Sequence, residues 1–372
     1  MEEIPGQGKT AAQAEMLANR LRKRYGHLKK WARRTGTDAF RLYDRDIPEI
    51  PLVLDLYGDA LSGALYRRPG RKPGENGGHE EDGGHEENED EERRWLLAMK
   101  EAAALALNID PRHVFIKIRE RQRGKAQYER FAHAAFEREI HEGDLAFRVN
   151  LSDYLDTGLF LDRRALRAMI RGKAAGKRVL NLFSYTGSFS VCAARGGAAE
   201  TDSVDLSNTY LRRAADNFRL NGFAAVFENN PFDMKGANMK NASFPHRLIR
   251  ADALLFSRIA AAAGRRWDLV ILDPPAFSNS KKMKTSLDIK RDHRELVAQS
   301  LALLERGGSL LFSTGAKGFT LDRDYFSSRS GFPGLEIRDL GNLVSGEDFR
   351  GKKAPACYLF SLDGFQKTDS ST

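Results

Sequence analysis

Asn181-Leu182-Phe183-Ser184-Tyr185-Thr186-Gly187-Ser188 joins an apolar strand end to a tight turn of small residues, and residues 189–195 then read as a helix. A strand, a turn and a helix in that order place a cradle at the strand's carboxyl end, where open α/β sheets bind nucleotides and related cofactors. The turn holds one glycine, and the G-x-G-x-x-G that cradles a pyrophosphate is absent, which argues against NAD and FAD. S-adenosylmethionine carries no phosphate and tolerates a looser turn. By itself the stretch reads equally well as an ordinary strand–helix connection.

The residues that follow tip the balance. Short apolar runs at 178–183, 202–205, 247–251, 269–272 and 309–313 alternate with helical patterns, notably 209–220 and 288–305, after a helix at 164–170. Strands alternating with helices predict parallel pairing in a doubly wound sheet, and 334–340 with 356–362 would close one edge. The second strand ends at Asp205, where a carboxylate can accept both hydroxyls of a ribose. The third ends at Asp252, placed to meet an adenine edge, and the fourth in Asp273-Pro274-Pro275-Ala276-Phe277. Two prolines stiffen that last turn and leave its carbonyls free to accept hydrogen bonds, while Phe277 can stack on a flipped base. Ser278 to Lys284 continue as a basic stretch, with Lys281 and Lys282 suited to a phosphate backbone.

The chain has 372 residues, enough for two domains, and 30% of them are charged. No apolar run approaches the ~18–20 residues of a membrane span, and the first residues lack the apolar core of a secretory signal. Two cysteines, Cys192 and Cys357, are too few for a disulfide framework or zinc knuckle, so a reducing cytoplasm is expected, with neither membrane nor metal. Residues 75–92 hold ten acidic groups and no Lys or Arg. The remainder carries 60 basic groups against 41 acidic ones, a balance of +19 that suggests a polyanionic partner.

Before residue 157 the pattern is that of a small α+β domain, expected over 1–156, followed by the α/β domain over 157–372. A helix over 10–34 carries Arg22, Lys23, Arg24, Lys29 and Lys30 outside an apolar stripe of Leu17, Leu21, Leu28 and Trp31. Strands are expected at 39–43, 51–57, 60–66, 114–119, 136–141 and 145–151, with a helix at 93–107. Residues 69–92 repeat GGHEE and lack apolar residues, so they read as a disordered acidic loop; 223–245, rich in Asn, read as a surface insertion. Arg119, Arg121, Arg123 and Lys125, interleaved with Gln122, Gln127 and Tyr128, read as a phosphate-contacting cluster.

The motifs 181–188, Val204-Asp205-Leu206-Ser207-Asn208-Thr209-Tyr210-Leu211 and 273–283 resemble the RlmK-type 23S rRNA guanine-N7 methyltransferases, which form half of bifunctional proteins and also occur as free-standing chains. Upstream, 19–23, 30–34, 41–44 and 154–162 are similar to the same pattern. The resemblance implies a Rossmann-like class I S-adenosylmethionine-dependent methyltransferase domain, a mostly parallel seven-stranded sheet, behind an RNA-binding domain. It implies cofactor contacts from Phe183, Ser184, Tyr185, Gly187, Ser188, Asp205, Leu206, Asp252 and Ala253. Phe160, Asp162 and Arg164 match its pre-strand motif, with Arg164 a candidate for the methionine carboxylate. Asp273, Pro274, Pro275 and Phe277 would face a guanine of 23S rRNA or of a large-subunit precursor. The chain departs from the pattern at Arg163, where His is usual, and at Ser313-Thr314-Gly315-Ala316-Lys317, where paired Asn is usual.

Methylating a pyrimidine carbon needs a thiolate nucleophile. Neither cysteine is expected beside the Asp-Pro-Pro turn; both read as core residues. Guanine nitrogen-7 carries a lone pair and needs no base, so alignment and stabilisation of developing positive charge suffice, with Asp273 suited to the latter. His293, in Arg291-Asp292-His293, reads as a capping or packing residue. Transfer to an exocyclic amine and a non-catalytic RNA-binding assembly factor are the rival readings. No protein partner is specified.

Overall fold

A computed structural model describes residues 7–66, 83–119, 135–228, 245–278, 286–327, 334–341, 346–352 and 354–362. Its Cα positions separate into two compact units, residues 1–144 with 149–157, and 145–148 with 158–372.

The first unit is built from α1 (Gln7–Thr35), β1 (Ala39–Asp44), β2 (Leu52–Tyr57), β3 (Ala60–Tyr66), α2 (Gly83–Leu107), β4 (Val114–Arg119) and β5 (Glu137–Glu142). β1, β2 and β3 pair antiparallel in sequence order, and α2 crosses over so that β4 joins β3 in parallel. Leu17, Leu21, Leu28 and Ala32 of α1 lie on one helical face and meet Phe40, Leu42, Leu52, Leu54, Met99 and Ala103 in a single core. That face explains the apolar stripe and leaves Arg22, Lys23, Lys29 and Lys30 exposed.

Two expectations need correction here. Residues 83–92 are helical rather than loop, because consecutive Glu residues are good helix formers. Residues 67–82 lie outside the described residues. Part of the predicted insertion at 223–245 is a strand, Ala225–Glu228, which gains hydrogen-bonded pairing along a sheet edge; residues 229–244 are outside those described.

The division between the units runs through β6 (Leu145–Asn150). The second unit continues with α3 (Arg164–Lys173), β7 (Arg178–Leu182), α4 (Ser188–Arg195), β8 (Glu200–Asp205), α5 (Asn208–Leu220), β9 (Ala225–Glu228), β10 (His246–Arg250), α6 (Ala253–Ala262) and β11 (Trp267–Leu272). Then come β12 (Phe277–Ser278), β13 (Leu287–Asp288), α7 (Ile289–Leu301), β14 (Leu304–Thr314), α8 (Arg323–Ser327), β15 (Glu336–Asp339) and β16 (Ala356–Ser361). The sheet has eight strands rather than seven, in the order β15-β16-β14-β11-β7-β8-β10-β9, with β16 antiparallel to both neighbours. This is the Rossmann-like α/β fold, with β9 the additional strand.

Alternation sorts its side chains into two cores. Val179, Leu269, Ile271, Leu311 and Leu359 face Leu166, Ile170, Phe189 and Ala193. Leu180, Leu182, Val270, Leu272, Phe312 and Phe360 face Phe256, Leu296 and Val297. The chain winds outward in opposite directions from β7 and β11, so strand order reverses between them. A crevice outside the carboxyl ends of β7 and β11 follows from that reversal.

At the other end of the strands, fully buried Asp202 accepts from Arg247 Nε at 2.5 Å, Arg265 Nη2 at 3.2 Å and Trp267 Nε1 at 2.9 Å. Asp202→Ala leaves two guanidinium groups without this central carboxylate and is expected to cost about 3–5 kcal/mol in urea unfolding. A loss below about 1 kcal/mol would show that this network does not hold the strand ends.

Candidate active site

The turn after β7 is conformationally costly. Phe183 (φ 57°) and Tyr185 (φ 51°) both occupy the left-handed region, which disfavours L side chains, and Gly187 follows at φ 72°. A Cβ on Gly187 would stand 2.8 Å from Ala214 Cβ, so the glycine also permits α4 to pack close to α5. Hydrogen bonds hold the turn in place: Ser184 N to Val204 O (3.0 Å), Gly187 N to Ser184 O (2.8 Å), Thr186 Oγ1 to Gly158 O (2.6 Å) and Asn217 Nδ2 to Thr186 O (2.9 Å).

Asp205, at the end of β8, completes the clamp. Its Oδ2 accepts from Tyr185 N at 2.9 Å and its Oδ1 from Ser207 N at 2.8 Å. Burial pushes this carboxyl up to about 6, against the pull of the Ser207, Tyr185 and Leu206 amides. Beside it, Ser184 Oγ is buried, at 5% exposure, without a hydrogen-bond partner. Phe160 is 43% exposed and its ring lies 5.3 Å from that of Tyr185, which meets Tyr210 edge-on at 4.5 Å. Sequence pattern gave Tyr210 no role; its signal was an aromatic residue in the first turn of α5, where Ser207 caps the helix. Asp252 follows β10 and caps α6 by accepting from Leu255 N, and Ala253 is buried beside it. Ser188, the first residue of α4, is half-buried.

Asp273 follows β11 and is enclosed. Arg163 Nε reaches its Oδ2 at 3.1 Å and its Oδ1 at 3.3 Å, Arg163 Nη2 reaches Oδ1 at 3.2 Å, and Ser313 Oγ donates to Oδ1 at 2.6 Å. Both departures from the resembled pattern therefore meet at this carboxylate. The guanidinium is paired with Asp273, the carboxylate expected to face the base. Pro274 is buried, whereas Phe277 is 44% exposed. Among the described residues none donates to the carbonyls of Pro274 or Pro275. β12 pairs with β13 as a short antiparallel ribbon, which fixes the backbone at Phe277. Lys281 and Lys282 lie outside the described residues.

Other expectations find different partners. Arg164 donates to fully buried Asp348 at 3.0 and 3.1 Å, an intramolecular carboxylate in the place foreseen for methionine's. Asp162 accepts from Arg163 Nη1 at 2.9 Å. Cys357 is opposite Ser313 in the β14–β16 ladder and close enough to Arg163 and Asp273 to feel their charges, so its expected separation from the Asp-Pro-Pro turn was wrong. Its thiol is nonetheless buried, and burial pushes it up, away from the thiolate. His293 Nδ1 donates to Lys290 O at 3.0 Å and Nε2 accepts from Asp322 N at 3.3 Å, so both ring nitrogens are committed to packing α7. In the first unit Arg24 is half-buried and Arg119 ends β4, while Arg121, Arg123 and Lys125 lie outside the described residues.

A family model described as S-adenosylmethionine-dependent methyltransferase matches residues 82–326, which include the turn, Asp205 and the Asp-Pro-Pro segment. The chain belongs to that family. Ribosomal RNA large subunit methyltransferase K of Neisseria meningitidis serogroup B is 42% identical over 342 residues, covering 92% of this chain and 86% of that protein. Ribosomal RNA large subunit methyltransferase K/L of Allochromatium vinosum is 40% identical over 351 residues; these cover 93% of this chain but 42% of that protein. An S-adenosylmethionine-dependent methyltransferase structure from Streptococcus mutans superposes with a TM-score of 0.66 at 22% identity, over 94% of this chain and 81% of the other. A methyltransferase structure complexed with SAH gives 0.64 at 23% identity, over 94% and 82%. These two likenesses establish the shared fold.

The residues present suit the family's cofactor. A partnerless buried hydroxyl at Ser184, a carboxylate clamped at Asp205 and a turn free of phosphate-binding glycines match a nucleoside that carries no phosphate. Above pH 6 Asp205 is ionised and both oxygens can accept hydroxyls; below it a proton occupies one of them. S-adenosylmethionine affinity is therefore expected to weaken as pH falls through about 6, approaching about tenfold per pH unit. Calorimetry between pH 5 and pH 8 checks this, and a flat profile would remove Asp205 from the ribose.

Proposed function

We propose that this methyltransferase modifies nitrogen-7 of a guanine in 23S rRNA, in free RNA or a large-subunit precursor, in the cytoplasm. The observation that carries the RNA substrate is the identity of 42% with the K-type ribosomal RNA enzyme across 92% of this chain. The atom is read from the chemistry at the carboxyl end of β11.

When bound, S-adenosylmethionine supplies an electrophilic methyl group on a sulfonium. Asp205 would hold the ribose, Asp252 and Ala253 the adenine, and Phe160, Asp162, Phe183, Ser184, Tyr185, Gly187, Ser188 and Leu206 the rest of the cradle. Phe277, exposed and fixed by the β12–β13 ribbon, would stack on an extruded base. The Pro274–Pro275 backbone would line the base's pocket beside Phe277. Neither a general base nor a thiolate is required, since nitrogen-7 presents its own lone pair. His293 is engaged through both ring nitrogens, and the thiols of Cys192 and Cys357 are buried. Those observations favour nitrogen-7 over an exocyclic amine, which must lose a proton. The strained turn and the half-buried carboxylate clamped to it favour an enzyme over an assembly factor without catalysis, because such a factor gains nothing from them.

The segment 1–156 would then serve as the RNA-binding part and 157–372 as the catalytic part. The exposed basic face of α1, Arg22, Lys23, Lys29 and Lys30, would contact phosphates, joined by Arg24, Arg119, Arg121, Arg123 and Lys125, and by Lys281 and Lys282. Reversing Arg22, Lys23, Lys29 and Lys30 to Glu should weaken rRNA binding and lower its salt slope by about 0.7–0.9 for each phosphate no longer neutralised, leaving cofactor affinity unchanged. An unaltered slope would place RNA on another face.

For the target atom, 23S rRNA methylated by the protein and treated with borohydride and aniline should break at one guanine. Phe277→Ala should abolish most of that cleavage, whereas Cys357→Ala should retain it. Methyl incorporation without any break would contradict nitrogen-7 and support the exocyclic amine.

A further inference from the structure

The enclosure of Asp273 has a consequence for catalysis. Its carboxylate draws together three segments: the turn before α3 through Arg163, the end of β11 through its own backbone, and β14 through Ser313. Oδ1 alone receives three donors, so this oxygen has no capacity left for a substrate. Arg163 is 6% exposed, and its third nitrogen engages Asp162, which places one guanidinium between two carboxylates. Its Nη2 also lies 4.0 Å from the position of a Cβ on Gly315, so the fork abuts the loop after β14. A planar fork can serve all these contacts at once, whereas an ammonium is a point charge that cannot.

We propose that Arg163 and Ser313 are positioning residues for methyl transfer: they immobilise Asp273 and thereby set the Asp-Pro-Pro backbone and Phe277 relative to the reacting methyl group. Asp273 acts through the turn it anchors and not by touching the base. The inference rests on methyl transfer by this site and is independent of which base atom receives the group. A misplacement of about 1 Å at such a turn is sufficient to cost about a hundredfold in rate.

The test compares Arg163→Gln, Ser313→Ala and the double variant Arg163→Gln with Asp273→Asn in single-turnover transfer from labelled S-adenosylmethionine to 23S rRNA. Arg163→Gln should lower the rate constant about a hundredfold, while cofactor Kd and rRNA KM each change less than about threefold. The double variant removes the Arg163 and Asp273 charges together, leaving the half-exposed Asp162 to solvent, and keeps amide hydrogen bonding; it should recover at least about tenfold over Arg163→Gln. Loss of binding in proportion to rate, or no recovery in the double variant, would overturn the proposal. Ser313→Ala strands no charge and so guards against a misfolded arginine variant; it should slow transfer about tenfold.

Hydrogen–deuterium exchange supplies a readout without substrate. In Ser313→Ala, residues 276–278 and 286–289 should exchange faster than in the native protein, while 183–187 stay unchanged. Unchanged exchange in both segments would overturn the proposal even if 23S rRNA proved not to be the substrate. Absence of transfer by the native protein, with the exchange difference present, would instead contradict the proposed RNA substrate.

Discussion

The bonds from the Tyr185 and Ser207 amides to the Asp205 carboxylate hold the site together. They tie the turn after β7 to the end of β8 and keep two non-glycine residues in left-handed backbone. The carboxylate is half-buried, and its partial desolvation has a cost that its raised pKa records: ionised Asp205 destabilises the fold as pH rises from about 4 through about 6. Packing alone would favour an apolar residue there. Costs of this kind concentrate where a ligand needs the charge, and the crevice at the strand-order reversal is that place.

A second carboxylate at the carboxyl end of the sheet is treated in the opposite way. Asp273 lies one strand away from β7, yet Arg163 and Ser313 close around it. On the proposed reading, Asp205 would accept the nucleoside, whereas Asp273, held by Arg163 and Ser313, would anchor a stiff turn. The division of labour explains why acidic strand ends recur here with different surroundings.

Local pattern made the parallel sheet, its helices and the turn at 183–187 legible, because period-2 and period-3.6 signals are short-range. Asp205 and the Asp-Pro-Pro segment were legible from their places at strand ends. The partner of Asp273 was not, since Arg163 is 110 residues away and nothing local pairs them. Cys357 was misplaced for the same reason: its neighbourhood is set by β14–β16 register, a long-range property. Arg164 looked suited to a ligand carboxylate until buried Asp348, 184 residues on, supplied one from within the chain. The start of α2 was obscured because glycines and acidic repeats masked the favourable helix propensity of consecutive Glu residues.

On the proposed reading, the crevice between β7 and β11 would hold the cofactor with its reactive end toward the Asp-Pro-Pro turn. A crystal structure of the protein with S-adenosylhomocysteine tests it most directly. The expected result is ribose hydroxyls within about 3 Å of the Asp205 carboxylate oxygens and the sulfur directed to the Pro274–Pro275 backbone. Ribose density away from Asp205, or a sulfur directed away from Pro274, would contradict it.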